Sequence, residues 1–291
     1  MSFLVQWLSR RPLWLLHRLG GFVGQLSHAL SPSYRRRFHA NAALAGVAAS
    51  GSNPAIAEAG RLAMELPFLW LRAANEPVGP ALQMHGAELV EAAHAQGRGI
   101  VFLTPHLGCF EVTAQAIAER FAARHGPITV LYRPARQKWL RELMDGSRAR
   151  PGLATAPATL AGVRQLIRAL RRGEAVGLLP DQVPPEGMGV WAPFFGQPAY
   201  TMTLAARLVQ QTGAVPLLVW GERLPRGAGY AVRFSAFEDT LPADASAQAE
   251  SAAVINRAME RLILQCPQQY LWGYNRYKQP RAMSAGDALE G

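Results

Sequence analysis

The chain predicts an α/β fold, with a mainly parallel central sheet flanked by helices. Three observations predict it. Short apolar, strand-like runs recur at 99–104, 128–133, 175–179, 215–221 and 229–236. Helix-period stretches lie between several of them, at 107–124, 137–147, 159–172 and 201–212. Strands that alternate with helices need crossover connections, which make neighbouring strands parallel and cover both faces of the sheet. Finally, 49% of the 291 residues are hydrophobic, enough for a sizeable core.

The elements follow in chain order. Residues 3 to 30 are rich in Leu, Trp, Phe and Val, but Arg10-Arg11-Pro12 and His17-Arg18 interrupt them. A spanning helix wants about 20 apolar residues in a row, and this stretch is too broken for one. No small-residue cleavage site follows a short apolar core, so the segment does not read as a removable signal peptide. Trp7 and Trp14 beside arginines predict a helix in, or partly through, a membrane interface. The alternative is a soluble amphipathic helix docked on its own domain. Arg35-Arg36-Arg37 just downstream favours the cytoplasmic side.

Residues 34–49 and 54–74 read as helices joined by Ser50-Gly-Ser-Asn-Pro54, with Asn53 before Pro54 as the start of the second. Another helix is expected over 81–96, ended by Gly97, and a late one over 246–265, stopped by Pro267. The expected division is a membrane-associating helix at 1–32, one folded domain at 33–280 and a loose tail at 281–291.

Net charge is +10, carried almost wholly by arginine, because Lys138 and Lys278 are the only lysines. Arginine forks suit phosphates and carboxylates. A basic surface can meet nucleic acid, anionic lipid or an acidic protein. No RNA-recognition or zinc motif is present and no basic run exceeds three, so nucleic acid is not the expected partner. Cys109 and Cys266 form no CxxC, which argues against a disulfide framework or a zinc site. There is no Walker A, G-x-G-x-x-G or G-x-S-x-G pattern, so no nucleotide cofactor and no serine elbow is implied.

The chemistry centres on Leu103-Thr-Pro-His106-Leu-Gly-Cys-Phe-Glu111, directly after the run Gly99-Ile-Val-Phe-Leu103. On one ideal helix, positions five apart would sit about 140° from each other and would not meet. If His106 sits in the turn before the helix, the chain can fold it back toward Glu111, and Pro105 supports that by disfavouring helix at Thr104. Gly108 allows close backbone approach. A hydroxyl could then lose its proton to His106, with Glu111 fixing the tautomer and stabilising the imidazolium. The helix amino terminus nearby offers N–H groups to an oxyanion. The bland alternative is a histidine capping a helix. Cys109 beside His106 also raises a thiol nucleophile, although Leu107 and Phe110 suggest that Cys109 packs inward.

Asp181 follows the run Ala175-Val-Gly-Leu-Leu179. Ligands of open parallel sheets sit at the carboxyl ends of strands, which puts His106 and Asp181 on one edge. Asp181 could pair with an arginine, orient an acceptor or simply form a turn. The stretch from Arg133 to Arg172 has a net charge of +8. Part of it could hold phosphates by bidentate contacts or dock an acidic protein. Arg164, Arg168, Arg171 and Arg172 read best as the solvated face of a helix. Trp191 and Phe194-Phe195-Gly196 could line an apolar slot or be plain core.

These residues carry a resemblance. His106-Leu-Gly-Cys-Phe-Glu111 after an apolar strand resembles the H-x-x-x-x-[DE] motif of the lysophospholipid acyltransferase superfamily. More narrowly, the chain is similar to the late acyltransferases of lipid A biosynthesis. Val130-Leu-Tyr-Arg-Pro134, Gly146-Ser-Arg148 with the following Arg-Pro-Gly, and Leu179-Pro-Asp181-Gln182 resemble family blocks. So do Gly189-Val-Trp-Ala-Pro-Phe-Phe-Gly196 and Gln268-Gln-Tyr-Leu-Trp272 through Arg276-Tyr-Lys278. They occur in family order over roughly residues 95 to 280, and the apolar N-terminal helix matches as well. Members often carry Asn and Trp before the acid, where this chain has Cys109-Phe110, a departure that bears on the acceptor pocket.

The resemblance implies a glycerolipid acyltransferase-like fold and an O-acyltransferase. Such an enzyme moves a fatty acyl chain from an acyl carrier protein thioester to a hydroxyl of a Kdo-bearing lipid A precursor. By that resemblance His106 is the base and Glu111 its partner, while Arg148, Asp181 and Arg133 bind substrate. It implies no cofactor and no metal, with a location at the cell inner membrane and the active site on the cytoplasmic side. The rival expectations are another lipid acceptor, such as a lysophospholipid or an aminolipid, and a non-catalytic basic membrane-binding protein.

Overall fold

The computed structural model describes residues 3–47, 49–79, 82–132 and 150–282. Its centre is a seven-stranded sheet in the order β1-β9-β8-β2-β5-β3-β4. The strands are β1 (Leu82–His85), β2 (Ile100–Leu103), β3 (Ile128–Tyr132), β4 (Leu153–Pro157), β5 (Ala175–Leu178), β8 (Val215–Arg223) and β9 (Tyr230–Ala236). Every neighbouring pair is parallel except β8 with β9, so the sheet is mainly parallel. A separate antiparallel hairpin joins β6 (Gly189–Phe194) and β7 (Gln197–Met202).

β2 and β5 are buried at every position, as strands covered on both faces must be. Their side chains alternate between two cores. Val101 and Leu103 point into one cluster with Leu166, Leu178 and Met259, and Ile100 and Phe102 into the other with Phe121, Val219 and Val232. The period of two is the pleat. Helices cover the faces: α5 (Ala87–His94), α6 (Phe110–His125), α7 (Leu160–Arg171), α8 (Leu204–Thr212) and α9 (Gln248–Gln265), the last of which follows the final strand.

Among the described residues, four helices precede the sheet: α1 (Phe3–Ser9), α2 (Leu13–Leu30), α3 (Pro32–Leu44) and α4 (Ala49–Leu71). α2 crosses α4 at backbone contact. A Cβ on Gly60 would lie 2.0 Å from Gly20 O, and one on Gly24 would lie 2.3 Å from Ile56 O. α2 buries only Leu16, His17, Gly20 and Gly24 and leaves Trp14, Phe22, Leu26 and Leu30 exposed. None of the described helices is long and apolar enough to cross a membrane.

Four expectations need correction. The 81–96 helix is two elements, the edge strand β1 and then α5, because Gly86 in the left-handed region turns the chain between them. The break expected at 50–54 is helical, with α4 starting at Ala49 and carrying Pro54 inside it. A proline that close to the amino end forfeits little of the helix's hydrogen bonding. β4 was not anticipated, being short and only partly buried. The hairpin β6–β7 takes the start of the expected 201–212 helix, and α8 begins at Leu204. The helix expected over 137–147 lies outside the described residues.

Candidate active site

Leu103 is the register partner of Leu178 in the parallel pair β2–β5. His106 and Asp181 each lie three residues beyond those partners. The two side chains therefore leave adjacent strand ends at the same height, and they meet. His106 Nδ1 lies 2.7 Å from Asp181 Oδ1, and the His106 backbone N–H donates to Asp181 Oδ2 at 2.9 Å. Tyr270 O–H donates to the same oxygen at 3.2 Å. The Asp181 side chain is 1% exposed, the His106 side chain 17%.

The geometry sets the tautomer. A carboxylate is an acceptor, so Nδ1 carries the proton and Nε2 keeps its lone pair as the basic nitrogen. Burial pushes the Asp181 pKa up, but the His106 ring, its two hydrogen bonds and Arg276 outweigh burial and hold it below the ordinary value. Asp181 is thus an anion at neutral pH. Burial and the Asp181 charge drive the Tyr270 phenol well above its ordinary range, so it stays a donor.

The turn that carries His106 is tied on all sides. Leu107 N–H donates to Pro105 O, Gly108 N–H to Gln269 O and Cys109 N–H to Gly221 O. His106 O accepts from Leu271 N–H. Gly108 has φ +58 and sits so close to β8 that a Cβ there would lie 2.0 Å from Gly221 O. Close approach at Gly108 is as the sequence predicts. The four N–H groups from His106 to Cys109 are all committed, so the turn itself has none for an oxyanion.

Beneath the turn lies a buried ionic cluster. Arg223 donates to Gly108 O at 2.6 Å, to Glu65 at 2.8 Å and to Glu58 at 3.2 Å. Glu65 also accepts from Tyr230 O–H and meets His17 Nε2, both at 3.1 Å. Burial would raise the Glu65 pKa, yet Arg223 and His17 keep it below the ordinary value. Cys109 is fully buried over this cluster; burial and then the Glu65 charge drive its thiol far up. A thiol kept protonated and sealed off is no nucleophile.

The expected site residues fare differently. His106 and Asp181 are brought together. Glu111 stands in the first turn of α6 and accepts from Trp70 Nε1–H at 3.4 Å, while the carboxylate on the imidazole Nδ1 is Asp181's. Sequence spacing favoured Glu111 because it is near in the chain; strand register brings Asp181 nearer in space. Arg133 and Arg148 lie outside the described residues. Arg150, from the same arginine block, is buried and caps α4 by donating to Leu69 O, Arg72 O and Ala73 O. Arg164, Arg168, Arg171 and Arg172 are exposed, as a solvated helix face requires.

The aromatic block is explained by a turn. Phe194 pairs with Gln197, which leaves Phe195-Gly196 as a two-residue loop with φ +44 and +73. Positive φ at both loop positions is the hairpin geometry that matches strand twist. Phe194 is core under the Arg276 guanidinium, 4.9 Å from its ring centre, whereas Trp191 is 42% exposed. Tyr270, Gln269 and Arg223 support the site and were not singled out from the sequence. For the first two the available signal was their place in the C-terminal block.

A family model for the bacterial lipid A biosynthesis acyltransferases matches residues 15–279. The chain belongs to that family. It is 29% identical over 195 residues to a lipid A biosynthesis lauroyltransferase of Escherichia coli (strain K12), covering 66% of this chain and 60% of the relative. It is 26% identical over 196 residues to the lipid A biosynthesis palmitoleoyltransferase of the same organism, covering 67% and 61%. It is 24% identical over 270 residues to lipid A biosynthesis acyltransferase 2 of Shigella flexneri, covering 89% and 81%. The matches to the two Escherichia coli relatives thus span about three-fifths of their length. Family membership agrees with the order of motif blocks in the chain.

Proposed function

We propose that this protein is a lipid A O-acyltransferase that uses His106 as its general base. The donor is an acyl thioester of acyl carrier protein, and the acceptor is a hydroxyl of a Kdo-bearing lipid A precursor. The observation that carries the reading is the His106–Asp181 pair at the carboxyl edge of the sheet, in a chain of this family.

In the proposed reaction, Nε2 of His106 takes the hydroxyl proton as the oxygen attacks the thioester carbonyl. Asp181 balances the imidazolium through Nδ1–H. The tetrahedral intermediate then collapses, the C–S bond breaks and the imidazolium returns the proton to the carrier's thiolate. The products are an ester and a free thiol, and no external oxidant or base is needed. Glu111 stays in the proposal as the second acid of the site, at a helix start that favours negative charge. Arg133 and Arg148 are proposed to hold acceptor phosphates.

The reading includes attachment to the inner membrane on its cytoplasmic side, through residues 1–32, with 33–280 as the acyltransferase domain. The exposed Trp14, Phe22, Leu26 and Leu30 of α2 support an interfacial placement.

The test is an assay with acyl carrier protein thioesters of several lengths against a Kdo-bearing precursor. His106→Ala should lower turnover by about 10²-fold or more without changing vesicle binding. Mass spectrometry of lipid A from cells lacking the protein should show one secondary acyl chain missing. Unchanged turnover in H106A would remove the base, and unchanged lipid A would remove the acceptor.

A further inference from the structure

A cavity of about 680 Å³ opens between α2, α4 and the tip of the β8–β9 hairpin, next to the turn that holds His106 but not lined by it. Trp14, Arg18, Arg61, Arg223, Arg226 and Gln269 are among its walls. Its charges do not cancel. Arg61 and Arg223 are matched by Glu58 and Glu65, and Glu222 is matched by Arg233. Arg18 and Arg226 have no carboxylate partner among the described residues. Two guanidinium groups at the mouth of a cavity, uncompensated, form a site for an anion with several acceptor oxygens.

Two further observations say that the site is built. Arg226 has φ +58 and ψ +21, and it shares positive φ only with Phe195 among the described non-glycine residues. An arginine held in the left-handed region is strained, and the neighbouring contacts impose that strain. Gly227 is pressed so tightly on α2 that a Cβ there would lie 2.2 Å from Trp14 N. The hairpin tip is therefore docked on α2, and Arg226 lines the same cavity as Arg18.

The second observation is a row. Trp14, Arg18, Phe22, Leu26 and Leu30 are all exposed and spaced by four, a row that winds about 40° around α2 at each step. Trp14 and Arg18 line the cavity, and the apolar residues beyond them, Phe22, Leu26 and Leu30, extend about 12 Å along the helix axis. An anion seat beside an apolar row offers the headgroup and the chains of one amphiphile more contact than it offers a free soluble anion. We propose that this cavity receives the phosphorylated headgroup of a membrane lipid, with Arg18 and Arg226 as its clamp. The proposal rests on the acyltransferase reading only for one of its two lipid sources, the acceptor itself; the other is bulk anionic phospholipid.

The experiment uses the full chain with Arg18→Ala and Arg226→Ala combined, since both side chains are exposed and neither belongs to the catalytic pair. One arm measures sedimentation with phosphatidylethanolamine vesicles with and without phosphatidylglycerol. The other measures kinetics in detergent with the precursor and with its dephosphorylated form. A KM for the phosphorylated precursor raised about tenfold or more, with kcat and the dephosphorylated KM unchanged, assigns the seat to the acceptor. Loss of the phosphatidylglycerol-dependent binding, with both KM values unchanged, assigns it to bulk lipid. The Arg18→Lys, Arg226→Lys pair should keep part of either effect. If both arms match wild type, the cavity is no headgroup site. Wild-type protein without any acyl transfer would remove the proposed activity, and the vesicle arm would still judge the cavity.

Discussion

At the scale of residues, the question is which carboxylate steadies the imidazole. Asp181 accepts from both the ring and the backbone of His106, so it orients the base and balances its charge. Asp181→Asn keeps the size but offers Nδ1 either a dipole or an amide donor, which selects the wrong tautomer. Turnover should fall by about 10²- to 10⁴-fold. Glu111→Gln should lose less, since Glu111 meets Trp70 and does not occupy the Nδ1 position. Steady-state kinetics of the two variants side by side measure this. A larger loss in E111Q would return the orienting role to the acid five residues on. Cys109→Ala should retain turnover, because its buried, protonated thiol takes no part in the chemistry.

At the scale of elements, the site depends on one crossing. The turn 106–109 runs along β8 with Gly108 against Gly221, and only a residue without a Cβ fits there. Gly108→Ala adds a clash with the Gly221 carbonyl to the cost of positive φ. It should destabilise by more than about 2 kcal/mol and abolish turnover. Gly97→Ala is the control, for it has φ +67 and nothing within 4 Å of the added carbon. It should cost about 1 kcal/mol. Urea unfolding of both variants measures the difference, and equal losses would mean that the crossing is looser than described. Strands and crossover helices were legible because burial on both faces writes continuous apolar runs. β1 was not, because a four-residue edge strand with alternating exposure next to a helix looks like the first turn of that helix.

At the scale of the molecule, stability is linked to pH through two buried anions. Glu65 and Asp181 both have pKa values held below ordinary by their partners, despite burial. A carboxyl with a depressed folded pKa contributes its full stabilisation above the unfolded pKa. It loses that contribution as pH falls through the folded value. Thermal unfolding should therefore show a midpoint steady from pH 7 to about 5 and dropping steeply below about 4. Glu65→Gln should flatten the acid limb. A midpoint that already falls between pH 7 and 5 would contradict the assigned charge states.

Sequence alone determined the α/β class, the strand ends that carry His106 and Asp181, the glycine at the close crossing and the family. Each is written in consecutive residues, as apolar runs, turn formers or ordered blocks. Tertiary structure decided what no spacing contains. The register of β2 against β5 aligned two residues 75 positions apart, and so made Asp181 the partner of the imidazole. The packing of α4 under β8 buried Glu58, Glu65 and Arg223 as one cluster beneath the turn. A residue's neighbours along the chain are set by covalent bonds, whereas its partner across a sheet is set by which strands pair and at what height.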